Sequence, residues 1–186
     1  MKAKQMWDNF IQQHSEYKDS SYNAWSYGTL IDQLAELTVK NIKTATASAY
    51  ELYAVDNDPL PQVNDFNIIL DSNDEAVCIT KTTKVSIVPF LEVSEEHAFK
   101  EGEGDRTLDT WRKEHTELFT KWYKEENLEI SDNIPVVCEE FKVIYKQFFY
   151  INTLFYIKSC IWNPIPIGFF LISFRWCSNL IGRKLV

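Results

Sequence analysis

The chain has 186 residues, 45% hydrophobic, 25% charged and 15% aromatic, with five Gly and six Pro. That much apolar surface can offset the entropy of ordering, which excludes a collagenous or disordered chain, and the length suits one domain or one domain with an appendage. The net charge of −8 is uneven: residues 147–186 hold Lys158, Arg175, Arg183 and Lys184 and no acid, so residues 1–146 carry −12, which argues against tight nonspecific binding to DNA.

Met6, Trp7, Phe10, Ile11, His14 and Tyr17 recur at three- and four-residue steps and predict an amphipathic helix covering an open face of the fold. This segment lacks the continuous apolar stretch of a secretory signal. Cys78, Cys138, Cys160 and Cys177 form no CxxC pair and read as small buried hydrophobes in a reducing compartment, so a cytoplasmic location is expected. After AWSYG a second helix runs through Leu30, Ile31, Leu34 and Leu37 and ends at Asn41, a residue tolerated in the left-handed conformation. Trp25 and Tyr27 before it are either core or lid aromatics or a stacking surface for a base.

KTATASAYELYAV, rich in Thr, Ala and Tyr, reads as an extended strand. Pro59 and Pro61 make the next stretch a loop. FNIIL is a short buried strand, and AVCITKTTKVSIVPF is one long strand or two joined by a bend. Short strands with polar turns suggest a small barrel or a strongly curved sheet. Ser94 and Thr107 are N-caps for two helices split by the glycines of EGEGD, the second with a stripe of Leu108, Trp111, His115, Leu118, Phe119 and Trp122. Pro135 opens a last strand, PVVCEEFKVIY.

Residues 147–186 are of another kind. Between Lys158 and Arg175 lie sixteen uncharged residues broken by Pro164 and Pro166. A membrane span needs about 20 apolar residues, so the tail reads first as a loosely packed or disordered extension, or as sequence not selected with the domain. A membrane anchor is the less favoured alternative.

Three features could carry chemistry: Lys43-Thr44-Ala45-Thr46, the loop from Glu101 through Arg106, and the Trp25–Gly28 turn. A desolvated lysine amine can serve as base to a hydroxyl in acyl transfer, with a carboxylate to orient it. In a strand beginning at Lys43, positions 43 and 46 fall on opposite faces, so their meeting requires a bend or the long reach of Lys43. The bland alternative is an exposed lysine beside strand-forming threonines. The Gly loop reads as solvated acids, as a lid supplying one carboxylate, or as a cation site, although it lacks the EF-hand pattern. His14, His97 and His115 never reach zinc-ligand spacing, and no GxSxG, Walker or GxGxxG motif occurs; no metal or cofactor is expected.

The KTAT, EGEGDRTL–W and VCEEF blocks, in that order, resemble the ASCH (activating signal cointegrator homology) domain family, in its longer bacterial branch, over about residues 5–146. The resemblance implies an α+β fold, a PUA-like small β-barrel with flanking helices over residues 1–146; the hydrophobic, basic tail 147–186 has no counterpart in it. It implies RNA or nucleoside binding in a cleft. A short bacterial member is similar to an amidohydrolase that removes acyl groups from N4-acetylcytidine, and its Lys-x-x-Thr matches Lys43 and Thr46. Its glutamate falls at Glu101, with Glu103 as rival. The implied roles are Thr46 as nucleophile, Lys43 as its base and Glu101 positioning Lys43 or activating water.

Trp25, Ser26, Tyr27, Thr44, Ser48 and Arg106 are the implied ligand-binding residues. Ser48 stands where the hydrolase has Arg, and Asn41 and Asn64 stand where Gly is usual. The acidic body favours a neutral nucleoside over a polyphosphate chain. The alternatives are a non-catalytic module binding single-stranded RNA through Lys40, Lys43, Lys81 and Lys84 with aromatic stacking, and, more weakly, a metal-dependent ribonuclease.

Overall fold

The computed structural model describes residues 1–146. The expectations for residues 147–186, including Cys160 and Cys177, lie outside the described residues. Helix α1 (Ala3–Gln13) stops where His14 adopts φ −133°, and a 3-10 turn follows at Ser15–Tyr17. Then come β1 (Asn23–Trp25), α2 (Ile31–Val39), β2 (Ala45–Ala49), α3 (Tyr50–Val55), β3 (Phe66–Leu70) and β4 (Ala76–Pro89). The helices α4 (Glu95–Glu101) and α5 (Leu108–Glu125) precede β5 (Pro135–Lys146).

The five strands form one sheet in the order β1-β3-β4-β5-β2, curled into a half-barrel. Only β1–β3 is parallel; β3–β4, β4–β5 and β5–β2 are antiparallel. β4 is a single long strand, and its register with β5 shifts between Ile79 and Thr80 and between Thr82 and Lys84. Such bulges bend a strand and increase its twist.

Side-chain alternation divides the core. On β3 and β4, Phe66, Ile68 and Ile79 meet Met6, Trp7 and Phe10 of α1, whereas Ile69 and Cys78 meet Leu34 and Ala35 of α2. At the other end, Ala47, Ala49, Val136 and Cys138 pack beneath Trp111, Phe119 and Trp122 of α5. Burying each such aromatic or aliphatic side chain contributes about 1.5–3 kcal/mol. The expected caps are present: the Ser94 hydroxyl accepts from the His97 N–H and the Thr107 hydroxyl from the Thr110 N–H. Asn41 and Asn64 both take positive φ, 57° and 80°.

One element differs from expectation. The strand ends at Ala49, and Tyr50–Val55 is helical. Leu52 and Tyr53 are the buried residues of this short helix, and with Ala49 they give apolar positions at i, i+3 and i+4, a helical spacing. Among the described residues, no helix is long and apolar enough to cross a membrane.

Candidate functional site

Two features lie side by side: a buried charge cluster and an open cleft. The cluster is built where α2 hands over to β2. The left-handed turn at Asn41 closes the helix, and the Lys43 N–H bonds back to the Leu37 carbonyl at 3.1 Å. Lys43 is thereby placed before the strand, not in it, and its side chain is fully buried. Its Nζ lies 3.3 Å from Glu101 Oε2, 2.5 Å from Glu103 Oε1 and 5.3 Å from the centroid of the Tyr27 ring.

Glu101, the last residue of α4, is also fully buried. Its Oε1 accepts the Trp111 indole N–H at 2.6 Å and lies 3.3 Å from His97 Nε2. His115 Nε2 is 3.7 Å from Oε2. The chain then turns at Gly102, φ +76°, where a Cβ would sit 2.6 Å from the Ile42 carbonyl oxygen. That close approach returns the loop to Lys43 and brings Glu103 to the amine.

Burial, the largest influence, would raise the Glu101 carboxyl, but the Lys43 charge together with His115 and His97 outweighs it and holds the group well below the usual carboxylate range. Glu103 goes the other way: burial, with the Glu101 charge adding to it, raises its carboxyl against the pull of Lys43. Burial opposes charging of His97, yet the Cys138 sulfur and the Glu101 carboxylate raise it to about 10. His115 is pushed down to about 4 by burial, so its ring is neutral, with Nδ1–H donating to the Trp111 carbonyl at 2.9 Å. The cluster thus pairs two cations, Lys43 and His97, with Glu101 and the more readily protonated Glu103.

The cleft, of about 390 Å³, opens on the sheet face opposite α5. It is lined by Tyr22, Trp25 and Tyr53, by loop 58–61, and by Asp65, Asn67 and Glu139. A hydrogen-bond chain sets its floor. The Trp25 indole N–H donates to Asn67 Oδ1 at 3.1 Å, and Asn67 Nδ2 donates to Thr82 Oγ1 at 3.3 Å and to Glu139 Oε1 at 3.5 Å. The Thr82 hydroxyl donates to the same Glu139 oxygen at 2.5 Å. Glu139 is 3% exposed; burial and the Asp65 charge, partly offset by the Thr82 bond, push its carboxyl up to about 7.

The residues singled out by sequence separate between these two features. Lys43, Glu101 and Glu103 meet in the cluster. Thr46 pairs with Glu139 across β2–β5, and directly opposed residues project from the same face, so Thr46 belongs to the cleft side. Ser48 is on that face too, its hydroxyl 2.8 Å from the Tyr53 hydroxyl. Trp25 borders the cleft; Tyr27 packs edge-on to Trp25 at 5.1 Å, is bonded through its hydroxyl to Thr38, and has the Lys43 ammonium 5.3 Å from its ring centroid.

Of the site residues singled out by sequence, Trp25 alone is among those lining the cleft; Lys43, Thr46 and Glu101 lie beside it, and Ser26, Tyr27, Thr44, Ser48 and Arg106 do not line it. The Thr44 N–H donates to the Lys100 carbonyl at 2.7 Å, and Arg106 lies over the Phe99 ring while donating to the Phe99 carbonyl. Of the four lysines read as a basic patch, Lys43 is buried, Lys40 pairs with Glu36, Lys84 pairs with Glu140, and Lys81 covers the Tyr17 and Phe66 rings. Among the described residues, no group of three or more His, Cys, Asp or Glu is placed to hold a metal ion.

Asn67, Tyr53, Asp65 and Glu139 escaped the sequence reading. The signal for two of them was present: an Asn within FNIIL and an acid directly after VVC each break an otherwise apolar strand. Buried polar groups of that kind must find partners, and they find each other here.

Residues 23–145 match the family model of the ASCH domain. An ASCH domain from Lactobacillus crispatus JV V101, solved as a crystal structure, superposes with a TM-score of 0.71 at 24% identity, over 76% of this chain and 93% of its own. Protein EF3133 from Enterococcus faecalis V583, of family DUF984, superposes with a TM-score of 0.70 at 31% identity, over 77% of this chain and 88% of its own. None of the curated proteins compared matches the chain.

Proposed function

The chain belongs to the ASCH domain family, and from that premise we propose that its cleft takes a nucleoside-sized ligand without phosphates, and that Lys43, Thr46 and Glu101 hydrolyse an N-acyl amide of that ligand. The ASCH fold is consistent with a nucleic-acid-binding, PUA-like module. The observation that carries the narrower reading is the cleft lining: three aromatic side chains, three carboxyl groups and no Lys or Arg. Such a surface stacks a base and repels a phosphate chain. Its volume falls within the 300–1,000 Å³ range, roughly, of small-molecule sites.

For the reaction, the Thr46 hydroxyl gives its proton to the Lys43 amine and attacks the acyl carbonyl; a C–O bond forms, the C–N bond breaks as Lys43 passes that proton to the departing amine, and water then hydrolyses the acyl-threonine ester, releasing the acid and restoring the hydroxyl. Lys43 must first pass its proton on before it can act as base, and Glu103, the more readily protonated of its two carboxylate partners, is the group suited to take it. Glu101 stays ionised and fixes the amine. Desolvation of Lys43 and its 3.3 Å contact with Glu101 support these roles.

The test is deacetylation of N4-acetylcytidine by the purified chain beside Lys43→Ala, Thr46→Val and Glu101→Gln. Turnover that disappears in all three variants upholds the proposal. No turnover, with salt-sensitive binding of single-stranded RNA, would replace it with the non-catalytic RNA-binding module.

A further inference from the structure

We infer that Glu139 selects the ligand by accepting a hydrogen bond from an exocyclic N–H, so that the cleft prefers an amino-substituted base to its carbonyl analogue; the inference rests on the nucleoside reading above. Glu139 lines the cleft although its side chain is almost fully buried. Both hydrogen bonds it receives, from the Thr82 hydroxyl and the Asn67 amide, end on Oε1. Oε2 receives neither of these bonds, and since Glu139 lines the cleft it is the acceptor that Glu139 presents there. Asn67 is fully used: its oxygen holds the Trp25 indole and its nitrogen serves Thr82 and Glu139. Its part is to fix the carboxyl relative to the Trp25 ring.

A ligand seated against Trp25 therefore meets one fixed acceptor at the edge of its base. An amino group donates to it, as a carboxylate accepting from cytosine N4 does in groove readout. A carbonyl in the same place would set two acceptors against each other in a poorly hydrated site, leaving both unpaired. Asp65 and Asp58 on the same wall reinforce the preference for a donor.

The substitution Glu139→Gln inverts this chemistry in a defined direction. The Thr82 and Asn67 donors still require an acceptor at the Oε1 position, which orients the amide oxygen there and turns the –NH₂ toward the cleft. The acceptor becomes a donor with little change in shape.

Titration calorimetry of the full chain at pH 8.5 with cytidine and uridine, which differ at that one group, tests the inference. Adenosine against inosine is a second matched pair. Cytidine should bind wild type at least about tenfold tighter than uridine, and Glu139→Gln should abolish or reverse that ratio. Equal binding of both nucleosides to wild type, a comparison that needs no variant, overturns the Glu139 inference and leaves the nucleoside cleft standing. An unchanged ratio in a Glu139→Gln protein that melts cooperatively overturns it as well. Binding of neither nucleoside at millimolar concentration overturns both.

Discussion

Replacing Lys43 with Met keeps much of the side-chain volume and removes the charge that Glu101 and Glu103 share. In wild type the ammonium lies 3.3 Å from one carboxylate and 2.5 Å from the other, with the amine and Glu101 fully buried. Breaking a buried pair by removing one partner costs about 3–5 kcal/mol, because the remaining charge is left uncompensated. Glu101 would keep the Trp111 N–H and the His97 contact, so a value near the lower end is expected. For a body of this size that corresponds to a fall in melting temperature of roughly 10 °C.

Urea unfolding of wild type, Lys43→Met, Glu101→Gln and the double variant measures the coupling. The double variant should be markedly more stable than the sum of the single losses implies. The pH dependence has a defined sign. The Glu101 pKa in the fold lies below its ordinary value of 4.5, so its stabilising contribution is present above that value and is lost as pH falls through the folded one. The difference between wild type and Lys43→Met should therefore narrow toward acid. A loss below about 1 kcal/mol at pH 7, or strict additivity, would refute the reasoning that this cluster is a tightly paired buried unit.

Three further outcomes follow from the same geometry. Trp111→Phe removes the 2.6 Å indole bond to the ionised Glu101 and should cost about 1.5–3 kcal/mol by chemical denaturation, more than loss of a neutral hydrogen bond. Gly102→Ala places a methyl 2.6 Å from the Ile42 carbonyl at φ +76°, and thermal melting should show a loss of about 1–3 kcal/mol. Glu139 has a raised folded pKa, about 7 against 4.5, set by burial and Asp65 against the opposing Thr82 hydrogen bond, with Asn67, Tyr53 and Asp58 also lining the cleft. Its ionisation thus weakens the fold as pH rises between those values, and Glu139→Gln should gain on wild type by on the order of 3 kcal/mol from pH 4 to pH 8.

Much of the architecture was legible because local signals and the global fold agree. The caps at Ser94 and Thr107, the α5 stripe from Leu108 to Trp122, and the left-handed Asn41 each follow from a chemistry that acts within a few residues. Tyr50–Val55 was misread because Thr, Ala and Tyr content suggested a strand, while the spacing of Ala49, Leu52 and Tyr53 already favoured a helix. Lys43 and Glu101 could be named from sequence blocks, yet their proximity, 58 positions apart, depends on the Gly102 turn against Ile42. The cleft was the least visible feature. Its floor unites Trp25, Asn67, Thr82 and Glu139 from four strands, and only the registers of β1–β3, β3–β4 and β4–β5 bring them together.

The most direct test of the nucleoside-binding cleft is amide chemical-shift mapping of the labelled protein with cytidine. The account predicts saturable shifts concentrated at Asn23–Trp25, Tyr53, Asp65, Asn67 and Glu139, with the exposed lysines unaffected. Shifts confined to surfaces outside the cleft, or none at saturating nucleoside, would contradict it.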